Sequence, residues 1–208
     1  MLQRRAAGLV CWAREHCDRN HLDRHHRDRN HRGRLPGRGR NLLPAEPGAQ
    51  RVSIDQGEFR AVLGHFASGV VVVTGLHRDR PMGFTCQSFF SLSLDPPLVA
   101  LAPGKSSTSW PSVAQADSFC ANVLADDQEV LARTFAASGG DKFAGIGWAP
   151  ASGGPPHLYG CLAWIDCVVE AVHDAGDHHL VIAQVVGLET GSGRPLIFYR
   201  GGFGGFEA

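Results

Sequence analysis

Four consecutive valines, Val70 to Val73, constrain this chain more than any other stretch. β-Branched side chains favour extended backbone, and successive residues of a strand point to opposite faces. A run with no polar position before Thr74 therefore predicts a strand buried on both sides, with an apolar layer above it and another below. Upstream, Phe59, Val62, Leu63 and Phe66 fall at i, i+3, i+4 and i+7, the apolar stripe of an amphipathic helix that starts near Asp55 and is stopped by Gly69.

Further elements follow in order. His77–Arg80 reads as a polar turn, and the stretch GFTCQSFFSLSLDPPLV, Gly83 to Val99, as a second strand stopped by Asp95-Pro96-Pro97. Leu98–Ala102 and Phe119–Leu124 are the third and fourth strands. Between them lies a short helix, Ser106–Ala116, with Ser/Thr at its start. Asp126-x-x-Glu129 opens another helix in the manner of a capping box, running to about Ala137. Ser138–Pro156 is a long Gly/Pro-rich loop of the kind that often serves function. Two long strands, Cys161–His173 and His178–Glu189, flank a Gly-Asp turn, and Pro195–Tyr199 is the last strand. Antiparallel strands with a few short helices point to an α+β or barrel architecture.

Charge divides the chain in two. Residues 1–51 hold twelve arginines against five acids, whereas 52–208 hold eight Lys/Arg against fifteen acids. The segment Arg14 to Arg40 has too few apolar residues to offset the entropy of ordering, so 1–51 reads as a disordered basic extension, or as translated sequence upstream of the true start. An RNA-binding arm would want interleaved aromatics. A metal site from Cys11, Cys17, His21 and His25 matches no complete zinc spacing, and a targeting extension is a third alternative. Residues 52–208 form the single folded domain. Cys86, Cys120, Cys161 and Cys167 lie in apolar strand context, which suggests reduced buried thiols and a cytoplasmic protein. No stretch approaches the length of a membrane span.

Two segments suit a phosphate, which wants convergent donors and no buried carboxylate nearby. One is Thr85–Ser88, where Thr85 and Gln87 share one strand face and Cys86 and Ser88 the other. The second is Gly104-Lys105-Ser106-Ser107-Thr108-Ser109, a loop entering a helix N-terminus. Each could instead be structural, as a cross-strand pair or a helix cap; together they favour a phosphate-containing cofactor. His173 and His178 sit at the ends of the turn in VHDAGDHHL, either as solvated turn residues or against a cofactor. A metal there would need a third ligand, so no metal is expected. Walker A, Rossmann, G-x-S-x-G and H-E-x-x-H motifs are all absent.

The pieces FRAVLGHFASGVVVVT, GFTCQSFFSLSLDPPLV, KSSTSW, FCANVL, DDQEVLARTF, DKFAGIGW, VHDAGDHHLV and PLIFYRG occur in that order from about Phe59 to Phe203. In these the chain resembles the flavin reductase components of two-component flavin-dependent monooxygenases, the short-chain, FMN-binding split-barrel type. The GFTCQSF spelling is most similar to reductases serving hydroxylases of phenolic steroid-ring intermediates. The resemblance implies a mainly β, six-stranded antiparallel split barrel of Greek-key type with short flanking helices, forming a homodimer.

It also implies an NAD(P)H-dependent reductase that passes a hydride from NADH or NADPH to FMN or FAD and releases reduced flavin to a separate oxygenase partner. Pro81, Met82, Gly83, Phe84 and Thr85, with Gln87 and Ser88, would line the isoalloxazine and ribityl chain. Ala102, Pro103 and Gly104, with Ser107, Thr108 and Ser109, would hold the phosphate end. His178 would face the nicotinamide, and His173, Asp174, Ala175 and Gly176 would help seat the dinucleotide. Such a cofactor carries the hydride chemistry, so amides, hydroxyls and an imidazole suffice. A flavin-storage barrel without turnover and a pyridoxamine-phosphate-type oxidase are the alternatives.

Overall fold

The computed structural model describes residues 53–116, 118–151 and 154–207. The readings placed on residues 1–51, including the candidate ligands Cys11, Cys17, His21 and His25, lie outside them.

Helix α1, Gln56–Leu63, precedes strands β1, Ser68–Gly69, and β2, Val71–His77. Then come β3, Arg80–Cys86; β4, Phe90–Leu94; β5, Pro97–Leu101; α2, Trp110–Val113; β6, Phe119–Val123; and α3, Glu129–Ala136. The chain ends with β7, Trp148–Pro150; β8, Pro156–Leu158; β9, Ala163–Ala175; β10, His178–Thr190; β11, Leu196–Tyr199; and β12, Gly202–Gly205. The main sheet has the order β3-β2-β6-β9-β10-β5-β4, with every pairing antiparallel. β1, β11 and β12 form a small second sheet, and β7 with β8 a separate hairpin.

The valine run behaves as its pattern requires. Val71 and Val73 enter one buried cluster, and Val70 and Val72 enter another. The first cluster gathers Phe84, Val99, Leu101, Phe119, Ala121, Cys167, Val181 and Ala183 from five further strands around Trp110 and Val113 of α2. The second lies under α3, where Phe135 and Ala132 meet Phe143, Leu158, Cys161 and Leu196. Fully burying a side chain the size of Phe or Leu contributes roughly 1.5–3 kcal/mol, so the two layers supply the main stabilisation.

A polar seam runs through the second layer. Asn122 is completely buried, and its Nδ2 donates to Val72 O at 2.9 Å and to Thr74 Oγ1 at 2.9 Å. Its Oδ1 accepts from Leu158 N at 2.8 Å, while Thr74 Oγ1 donates to Pro156 O. The backbone polar groups of β8 are thereby satisfied by side chains of the sheet beneath them, as buried amides require.

The mainly β, few-helix architecture agrees with the sequence reading, but the sheet has seven strands where six were expected. The extra strand arises because GFTCQSFFSLSL is two strands: Gln87–Phe89 leave the ladder and β4 folds back on β5. The helix expected over Ser106–Ala116 contracts to the four residues of α2, because Ser107 Oγ accepts from Trp110 N and draws the preceding segment into a turn. The capping box at Asp126 does not form. Arg194 Nε holds the Asp126 carboxylate at 2.8 Å, and Gln128 Oε1 accepts from Ala125 N instead. β12 is an additional strand, whose glycines carry no strand signal in the sequence. Helix α1 starts where expected but ends at Leu63, short of Phe66 and of the expected stop at Gly69; none of its residues is buried, and Phe59 and Val62 stay 48% and 60% exposed.

All four cysteines among the described residues are free and buried. Burial pushes the Cys161 and Cys167 thiols up to about 12, Asp166 adding to the effect at Cys167, so both are protonated and unreactive near neutrality. No helix among the described residues is long and apolar enough to cross a membrane.

Replacing Asn122 by Ala strands the Leu158 N–H in a dry layer. The expected cost is about 2–4 kcal/mol, from the lost bonds and the unpaired group together. Urea unfolding of the variant checks it, and a loss below about 0.5 kcal/mol would show that the seam does not hold β8.

Candidate functional site

Some of the residues singled out from the sequence, Ser88, Asp174 and His178, meet one loop, Ala102 to Ser109, which leaves the end of β5. Ser88 ties that loop to the break between β3 and β4. Its Oγ donates to Ala102 O at 3.1 Å, accepts from Ala102 N at 3.0 Å, and lies 3.3 Å from Cys86 Sγ. One hydroxyl thus satisfies both backbone groups of Ala102, which is why the chain departs from the ladder there.

A second set of bonds joins the loop to the β9–β10 turn. His179 N donates to Pro103 O at 2.9 Å and Lys105 N to Asp177 O at 2.9 Å. Gly104 and His178 form an isolated antiparallel bridge. Lys105 Nζ also meets Asp174 Oδ1 at 2.8 Å. The turn itself is two residues long, and Gly176 supplies its positive φ of 65°. His178 Nδ1 sits 2.8 Å from Asp177 Oδ1, which fixes the ring. Its Nε2 lies 3.6 Å from the point where a Cβ on Gly104 would stand, so the imidazole faces that glycine. The bond from Lys105 holds the Asp174 carboxyl below its ordinary range, and the bond to His178 does the same for Asp177.

The third connection was not read from the sequence. Lys142 Nζ donates to Phe135 O at 3.0 Å, Ser109 Oγ at 3.1 Å and Gly83 O at 3.3 Å. Burial pushes its ammonium pKa down from the ordinary value. Lys142 therefore links the C-terminal end of α3, the far end of the loop and the middle of β3. Its only signal in the sequence is the lysine of DKFAGIGW, in a segment read as loop.

The structure separates the remaining positions by what their side chains can still do. Thr85 Oγ1 donates to Ala132 O at 2.6 Å, so this hydroxyl is occupied by α3. Gly83 lies under the same helix, where a Cβ would come within 2.8 Å of the Phe135 ring. The ring that glycine accommodates is therefore Phe135. Phe84 is buried edge-on to Trp110 at 6.2 Å between centroids, and Met82 packs on the first cluster. Pro81 stands roughly 20 Å along the strand direction from Ser88, and the structure does not draw it into the loop. His173, Ala175 and Gly176 are exposed at the turn. Among the described residues, Gln87 and Thr108 side chains make no hydrogen bond and keep their donors and acceptors open.

A rigid loop of amides and hydroxyls facing an imidazole can bind and orient a phosphate-bearing ligand. Among the described residues, no hydroxyl or thiol nucleophile is hydrogen-bonded to a His, as acyl transfer would need. A helix-dipole contribution to phosphate binding is small, since α2 has a single turn.

Comparisons with known proteins agree on one family. Residues 63–207 match the flavin reductase like domain. The reductase subunit HsaB of a flavin-dependent monooxygenase from Mycobacterium tuberculosis is 47% identical over 157 residues, covering 74% of this chain and 84% of that protein. An FMN reductase (NADH), SmoA, from Agrobacterium fabrum is 42% identical over 149 residues, covering 72% and 85%. Among solved structures, the NADH:FAD oxidoreductase SgcE6 of Streptomyces globisporus, determined with NAD and FAD fragments, superposes with a TM-score of 0.69 at 32% identity, covering 74% of this chain and 93% of that one.

The Gly83–Phe135 contact leaves no room for a methyl group. Gly83→Ala should destabilise by about 1–3 kcal/mol, the usual cost of overpacking, and Phe135→Leu in the same chain should recover part of that loss. Denaturant unfolding of the two single variants and the double variant reads the coupling; strict additivity would show that the ring and the glycine are independent.

Proposed function

The chain belongs to the flavin reductase like domain family, and we infer from that membership that it is a nicotinamide-dependent flavin reductase supplying reduced flavin to a separate monooxygenase component. The observation that carries the assignment to this site is the stitching of Pro103–Lys105 to Asp174–His179, which sets the His178 imidazole across the loop. The donor set fits a flavin nucleotide: open polar side chains at Gln87 and Thr108, a loop cation at Lys105, and no buried carboxylate among the loop residues.

In this reading, Gln87 and the backbone of Met82–Ser88 line the ring and ribityl chain. Ser88 and Thr85 act indirectly, by fixing that backbone through Ala102 and Ala132. The Thr108 hydroxyl and the amides of Gly104, Thr108 and Ser109 take the phosphate end, on a loop that Ala102, Pro103 and Ser107 shape through their bonds to Ser88, His179 and Gly104. His178 is held by Asp177 and presents its second nitrogen toward the nicotinamide, while His173–Gly176 seat the dinucleotide. The bound flavin supplies the hydride acceptor, FMN or FAD, with NADH or NADPH as donor. The chain's own contribution is to orient the two rings and exclude water, which needs no acid or base.

A homodimer belongs to the same proposal. It is supported by apolar side chains left outside the two clusters: Phe59 and Val62 on α1, and Leu92 and Leu94 on β4, the last 91% exposed. Closure of the sheet into a split barrel is supported by the first cluster, which six strands share. The reduced, buried cysteines fit a cytoplasmic setting.

Purified protein with FMN or FAD should accelerate oxidation of NADH or NADPH, followed by loss of nicotinamide absorbance. Flavin retained without turnover would select a storage role, and peroxide release from a substrate other than nicotinamide would select an oxidase. His178→Ala should slow reduction by up to about 100-fold, the scale of a positioning defect, with flavin affinity nearly unchanged. An unaltered single-turnover rate would remove the histidine from the site. Residues 1–51 are proposed to be dispensable, so their deletion should leave kcat and KM within about twofold; loss of soluble, folded protein would overturn that.

A further inference from the structure

A second cluster of chemistry-bearing side chains lies on the face of the sheet opposite α2. The antiparallel registers align Thr74 of β2 with Cys120 of β6, Cys120 with Asp166 of β9, and Asp166 with Gly187 of β10. The thiol and the carboxylate are thus cross-strand neighbours on one face. His157 of β8 comes down onto them, its Nε2 2.8 Å from Asp166 Oδ1. Single ligand atoms from Cys120, His157 and Asp166 all lie within 4.8 Å of one another.

Several independent features hold this arrangement. β8 is anchored on both sides of His157, by the bond from Thr74 to Pro156 O and by that from Leu158 N to Asn122. The His157 ring stacks on Trp164, with centroids 5.9 Å apart and planes 17° from parallel. Room for the carboxylate comes from Gly187, where a Cβ would stand 3.0 Å from Asp166 Oδ2, beside a register shift between Val185 and Gly187. Bulges of this kind re-aim side chains near functional positions. The other nitrogen of His157, Nδ1, faces Glu189 Oε2 at 4.0 Å. A carboxylate hydrogen-bonded to the second nitrogen is the partner that orients metal-bound histidines, and Glu189 reaches that bond by moving roughly 1 Å.

We propose that Cys120, His157 and Asp166 form a binding site for a divalent zinc-like cation, with Glu189 as the positioning carboxylate behind His157. One sulfur, one nitrogen and one oxygen donor suit a borderline cation and disfavour Mg²⁺ or Ca²⁺, which take oxygen ligands. A thiolate and a carboxylate balance the two positive charges, Cys120 being fully buried and His157 and Asp166 partly so, and a water can take the fourth position on the more open side. Bond lengths of about 2.0–2.3 Å place tetrahedral ligand atoms roughly 3.3–3.8 Å apart, so the cluster closes by small side-chain movements as the cation replaces the His157–Asp166 hydrogen bond. Binding releases the thiol proton. The cation would fasten β8 to the sheet, at the other end of β10 from His178. The sequence offered no sign of this, because the three ligands come from separate strands at no zinc-like spacing.

Titration of the full-length protein with Co²⁺ tests the site. A near-ultraviolet thiolate-to-cobalt charge-transfer band is expected, saturating at one equivalent and bleached by Zn²⁺. Cys120→Ser should abolish it, while a Cys11→Ser/Cys17→Ser double variant should keep it. Glu189→Gln, an exposed change that leaves the fold intact, should weaken Co²⁺ binding roughly 10–100-fold, as loss of a supporting carboxylate does. Absence of the band, its survival in Cys120→Ser, or unchanged affinity in Glu189→Gln would each overturn the proposal.

Discussion

Strand β2 has no face turned to water, because alternate valines enter two different apolar layers, and the fold is arranged around supplying both. One layer comes from the strands themselves, gathered around α2. The second cannot, since a sheet covers only one side of its own strands, and it comes instead from α3, β8 and β11 laid across the outer face. Late segments of the chain are thereby committed to packing against a strand made early.

Covering that outer face buries backbone as well as side chains, and β8 is too short to satisfy itself within a sheet. Thr74 and Asn122 meet the need from below, with bonds that a valine or leucine in their place could not make. The same constraint shapes the loop after β5. Ala102 has both its amide and its carbonyl bonded by Ser88, and Pro103 and Lys105 are bonded to the β9–β10 hairpin. A loop whose main chain is held by the scaffold can offer its remaining groups to a ligand without first being ordered, which lowers the entropic cost of binding.

This division explains why the candidate site is only partly what its residue types imply. Thr85 and Ser88 donate inside the protein, to Ala132 O and Ala102 O, whereas Ser107 and Ser109 accept from Trp110 N and Lys142 Nζ and keep their own hydroxyl protons for a ligand. Their polar character on strand and loop was legible; the partner was not. Ser88 meets Ala102 across 14 residues and Lys142 meets Gly83 across 59, separations at which no local pattern operates. Gly83 shows the same limit: its lack of a Cβ is required by a ring, but the ring is Phe135 of α3.

The sequence by itself determined the elements whose signal is periodic or obligatory. These are the doubly buried β2, the turn at Arg78-Asp79, the long β9–β10 hairpin around Gly176, and the family, through motifs that keep their order from Phe59 to Phe203. Tertiary structure decided what depends on competition between partners. Asp126 could cap α3 or pair with Arg194, and the guanidinium prevailed because it offers a charged partner at 2.8 Å. The break that makes a seventh strand, the three-way anchoring of Lys142 and the meeting of Cys120, His157 and Asp166 have the same origin. Each is fixed by which distant segment arrives alongside, and that is a property of the packed chain.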